Sequence, residues 1–80
     1  MQKTQEIYIS PPFIKLEQFL KFASLASTGG EAKLLIQNGY VCVNGEVCKL
    51  RGKKLFGGEE ISLGAEIYRC VKSDYQRNKS

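Results

Sequence analysis

Five cations crowd one short stretch of an 80-residue chain. Lys33, Lys49, Arg51, Lys53 and Lys54 lie between positions 33 and 54, where Glu46 is the single acid; the other residues carry seven basic and seven acidic side chains. The whole net charge of +4 therefore sits in this stretch. Such a local excess implies an anionic partner, because Lys and Arg neutralise phosphates and release condensed counterions. Arg51 offers a fork for two phosphate oxygens, whereas the lysines act as point charges.

A second feature precedes the cluster. Thr28-Gly29-Gly30-Glu31 matches a capping box, in which a hydroxyl accepts from the amide three residues on and the acid reaches back. The start of a helix has unpaired amides and the positive end of the helix dipole, and two glycines there let a phosphate backbone approach closely. Gly29, Gly30, Lys33, Lys49, Arg51, Lys53 and Lys54 are thus the candidate binding residues.

Other chemistry lacks its parts. There is no His, so no Cys–His nucleophile and no imidazole base. Cys42, Cys48 and Cys70 contain no C-x-x-C pair, and no zinc site is expected. The glycine pairs do not extend into a phosphate-loop or dinucleotide fingerprint, so neither a cofactor nor a small-molecule substrate is expected. Glu59 and Glu60 are neighbours on an expected strand and point opposite ways, which does not make an acid–base pair. The reading is a binding module without catalysis.

Hydrophobic periodicity indicates the elements that must position these residues. Ile7 and Ile9 alternate in residues 6–10, an edge strand that Pro11-Pro12 ends. Leu16, Phe19, Leu20 and Ala23 recur at helical spacing, and a first helix is expected over residues 13–26, regular from about Leu16. A second helix is expected from Gly30 or Glu31 to Asn38, with Ala32, Leu35 and Ile36 buried and Gly39 as its stop. Val41 and Val43 mark one face of a strand, and Tyr40 and Cys42 the other. Asn44-Gly45 predicts a two-residue hairpin with residues 46–49 returning. That register pairs Val43 with Glu46 and Cys42 with Val47, so Cys42 and Cys48 face opposite ways and do not pair.

The basic arm, residues 50–54, follows, with Gly52 as a bend, and Leu55 and Phe56 are expected to pack inward. Residues 57–59 read as a turn, 60–63 and 66–71 as two strands, and 72–80 as a polar tail. One small domain is expected, with its core at about 14–63. An odd cysteine count, no apolar leader in residues 1–6 and no apolar run near the ~18–20 residues of a membrane span predict a reducing, cytoplasmic setting without a membrane. A monomer is expected.

Taken together, Leu16-Glu-Gln-Phe-Leu20, then Ala32-x-x-Leu35-Ile36-x-x-Gly39-x-Val41-x-Val43-Asn44-Gly45, then Gly58-Glu59-x-Ile61 resemble the S4 RNA-binding domain. The Thr-Gly-Gly-Glu-Ala-Lys segment and Arg51-Gly52-Lys53-Lys54 are similar to its small stand-alone bacterial members of the YaaA/YbcJ type. The resemblance implies an α+β fold, two helices packed on a small twisted antiparallel sheet (the αL RNA-binding motif). It also implies RNA, ribosomal RNA or the ribosome as partner, held by the second helix and the arm, and it adds Thr28 as an eighth candidate binding residue. The chain departs from many members in having Gly29 and Leu50 where an Arg is common, and Glu59 where Asp is usual. A second reading is an adaptor whose basic arm meets an acidic protein.

Overall fold

The structure, a computed structural model, describes residues 4–10 and 12–73. Pro11 of the proline pair, and the polar tail beyond Ser73, lie outside the described residues. In chain order the elements are β1 (Thr4–Ile9), β2 (Ile14–Lys15), α1 (Leu16–Phe22), α2 (Gly29–Gln37), β3 (Val41–Val43), β4 (Glu46–Val47), β5 (Lys54–Leu55), β6 (Glu60–Leu63) and β7 (Glu66–Lys72).

The sheet is larger than expected and it is mixed. Five strands run in the order β1-β7-β6-β3-β4. The pairs β7·β6, β6·β3 and β3·β4 are antiparallel, but β1 lies parallel to β7, with Thr4 opposite Ile67 and Ile9 opposite Lys72. Parallel neighbours need a long crossover. Here the crossover is nearly the whole chain, so no local pattern reveals it. β2 and β5 form a separate two-residue antiparallel pair.

One core lies between the helices and one sheet face. Leu16, Phe19 and Leu20 of α1 and Ala32 and Ile36 of α2 meet Ile9, Val41, Val43, Ile61, Tyr68 and Cys70 of the strands, with Leu55 of β5 closing the side. Leu35 is half-buried against it.

α1 is shorter than its periodicity predicts, for a different reason at each end. Ile14 and Lys15 are drawn into pairing with Leu55 and Lys54. At the other end Ser24 adopts a left-handed φ of 64°. Its amide donates to the Lys21 carbonyl (3.0 Å) and the Leu25 amide to the Leu20 carbonyl (2.8 Å). That is the pair of hydrogen bonds of a glycine-type helix stop, made with a serine.

α2 starts one residue earlier than expected. Thr28 Oγ1 accepts from the Glu31 amide at 3.1 Å, but the Glu31 carboxylate accepts from Ser27 (2.7 Å) rather than from Thr28. Gly39 ends the helix as expected.

The hairpin has the expected register, with Asn44 and Gly45 both left-handed (φ 53° and 87°). Asn44 also anchors it: its amide donates to the Glu60 carbonyl (2.7 Å) and its Oδ1 accepts from the Glu60 amide (3.0 Å). The return strand ends at Val47, two residues before the expected Lys49.

Candidate nucleic-acid interface

The basic arm is tied to the first helix. The amides of Leu16 and Glu17, which have no partner inside α1, donate to the carbonyls of Lys53 (2.8 Å) and Arg51 (3.1 Å). A tight turn at residues 51–52, closed by the Lys53 amide on the Leu50 carbonyl (3.1 Å), then directs successive side chains to different places.

A groove of about 300 Å³ forms where α1, the start of α2 and this turn converge. α2 contributes Gly29, Gly30 and Lys33, and the arm contributes Arg51. α1 contributes Glu17, Gln18 and Lys21, which three- and four-residue spacing places on one helix face. Arg51 Nη1 lies 3.9 Å from Glu17 Oε1, with both side chains partly exposed, which keeps the guanidinium at the groove wall at little energetic gain. Three cations thus face one carboxylate.

The groove floor is open backbone. A Cβ on Gly29 would meet nothing within 4 Å, and one on Gly30 only Thr28 Oγ1 at 3.9 Å. Nothing in the fold demands glycine there. Among the described residues the amides of Gly29 and Gly30 donate no hydrogen bond, whereas Glu31 and Ala32 donate to Thr28. The Glu31 carboxylate, held by Ser27, does not line the groove.

The structure therefore unites Gly29, Gly30, Lys33 and Arg51, four of the eight candidates. Thr28 is spent on capping. Lys49 and Lys53 line a separate depression on the hairpin with Val47 and Leu50, and the Lys49 stem lies beside Gly39. Lys54 leaves on another side, its Nζ 5.0 Å from the centre of the Phe13 ring, which in turn tilts against Phe56 at 5.8 Å. Phe56 is exposed rather than packed inward, because only Leu55 of the pair points into the core.

Lys21 is the cation that sequence reasoning missed. It reads as one more solvated residue on a helix, and only the packing of α1 against α2 brings it beside Lys33. Its placement one turn after Glu17, on the face away from Phe19, was the available signal.

Cys42, Cys48 and Cys70 are all free. Burial, with the Glu59 carboxylate nearby, pushes the Cys70 thiol up to about 11. Among the described residues no cluster of His, Cys, Asp and Glu could hold a metal, and no helix is long and apolar enough to cross a membrane.

Two comparisons with known proteins bear on this geometry. A family model described as the S4 domain matches residues 7–71. A protein of Bacillus subtilis (strain 168) named "Probable ribosome maturation protein RlbA" is 39% identical over 57 residues, 71% of this chain and 80% of that protein.

Proposed function

The chain belongs to the S4 domain family of RNA-binding domains, and on that premise we propose that it is a non-catalytic module that grips structured RNA through the groove between α1, α2 and the arm. The observation that carries the reading is the convergence of Lys21, Lys33 and Arg51 around the two open glycines. A phosphate enters over Gly29 and Gly30, where free amides and the positive end of α2 meet it. The three cations hold the neighbouring phosphates. The second strand of contact runs over Lys53 and Lys49 on the hairpin.

Within this groove, recognition reads the shape and backbone of A-form RNA rather than its paired bases. The relative's name, a probable ribosome maturation protein, makes ribosomal RNA the first RNA to try, and the cytoplasm is the setting that this reading takes.

Charge reversal tests the reading. Arg51→Glu and Lys33→Glu should each weaken RNA binding at least tenfold, with little dependence on RNA sequence. Lys33→Gln should lower the slope of log affinity against log salt by roughly one. Filter or fluorescence-anisotropy titrations at several salt concentrations read both. Variants that bind like the wild type, or affinity that ignores salt, would remove the groove from the mechanism.

A further inference from the structure

The basic groove does not end at α1. Gln18 and Lys21 line it on one side and, on their other side, line a shallow shelf of about 440 Å³ whose remaining walls are Ile14 and Phe22. Phe22 is the last residue of α1 and is 61% exposed, although Leu16, Phe19 and Leu20 of the same helix are fully buried. Its ring lies outside the core, beside the cation that the phosphate groove uses.

An aromatic face next to a cationic track is the arrangement on which unstacked bases rest, since every base has a π-face. An uninterrupted duplex has no base to offer, because its bases are stacked inside. Resting on the reading above, we propose that Phe22, with Ile14 on the same shelf, receives an unpaired base of the same RNA whose phosphates lie in the groove, and that Gln18, whose Oε1 accepts from the Lys15 amide (3.2 Å), turns its remaining amide NH2 donors to that base's polar edge. The ligand is then a helix interrupted or flanked by unpaired nucleotides. The continuity of the shelf with the three-cation groove is what selects nucleic acid as its occupant over an apolar peptide.

The test uses the full chain and two RNAs of the same duplex sequence, one blunt and one carrying a short unpaired overhang. Phe22→Ala should cost roughly tenfold in affinity for the overhang RNA and leave the blunt duplex unchanged. Phe22→Leu should behave like Phe22→Ala, and Phe22→Trp like the wild type. The chain has no other Trp, so quenching of that single emission by the overhang RNA but not by the blunt one reports stacking directly.

Equal losses on both RNAs, no loss on either, or full rescue by Leu would overturn the proposal; the last would mark the shelf as a protein contact. Wild-type self-association abolished by Phe22→Ala would overturn it in favour of a second copy of the chain. If Arg51→Glu weakens both RNAs while Phe22→Ala weakens neither, the groove stands and the shelf falls. If neither RNA binds at all, both readings fall together.

Discussion

Glu17 is the residue whose role is least obvious from its type. It is an acid inside a site built for an anion, and it faces Arg51 across 3.9 Å. A pair this open adds less than about 1 kcal/mol to stability. Its electrostatic effect on a bound phosphate is repulsive. Glu17→Gln is therefore expected to leave the urea midpoint almost unmoved and to tighten RNA binding roughly two- to fivefold at low salt. Weaker binding would mean that Glu17 serves chiefly to aim Arg51, and the two are separated by testing the substitution in an Arg51→Lys background. At this scale spacing and composition were informative about Gly29, Gly30, Lys33 and Arg51. They were silent on Glu17 and Lys21, whose meaning comes from what α2 places opposite them.

Among the elements, the glycine-containing turns separate structure from binding. Gly57 has φ 123°, and a Cβ there would lie 3.0 Å from Lys72 Cβ and 3.2 Å from the Lys72 amide nitrogen. The Glu59 carboxylate accepts from the Phe56 and Gly57 amides (2.9 and 2.8 Å), so this turn cannot relax without losing both bonds. Gly57→Ala should destabilise the protein by about 2–3 kcal/mol in chemical denaturation. Gly29→Ala meets open space and replaces a poor helix former, so it should leave stability unchanged or raise it by up to about 1 kcal/mol while weakening RNA binding. A Gly29→Ala protein that is more stable and binds RNA as well as the wild type would show that no phosphate approaches that backbone. The helix ends teach a related lesson. The stop at Gly39 was legible because glycine marks it. The stop at Ser24 was not, because a serine adopts the glycine conformation there under the pull of Leu25 and Ala26 toward the core.

For the molecule as a whole, the buried Cys70 links stability to pH. Its side chain is fully buried on β7, and its thiol is held up to about 11 against an ordinary 9.0, first by burial and then by Glu59. The folded chain keeps that proton while the unfolded chain loses it above pH 9. The contribution is therefore fully present below pH 9 and is lost as pH rises from 9 to about 11. Tyr68, hydrogen-bonded to Glu66, is shifted in the same direction. Urea midpoints should fall between pH 8 and pH 10.5, and Cys70→Ala should shrink that fall by on the order of 1 kcal/mol. An unchanged fall in the variant would assign the effect to other groups.

The linear chain by itself determined what depends on near neighbours: the capping Thr28, the hairpin register around Asn44-Gly45, the two apolar helix stripes, the alternation of Val41 and Val43, and the concentration of positive charge. These follow from periodicity and backbone preference over a few residues. Only the tertiary structure decided the parallel pairing of β1 with β7, the capture of Ile14 and Lys15 as a strand, and the division of the basic arm into three directions. Each of these is set by residues far apart in sequence. Arg51 turns toward Glu17 at the groove and Lys54 toward Phe13, while the unpaired amides at the start of α1 take the arm's carbonyls and fix the backbone that carries both side chains.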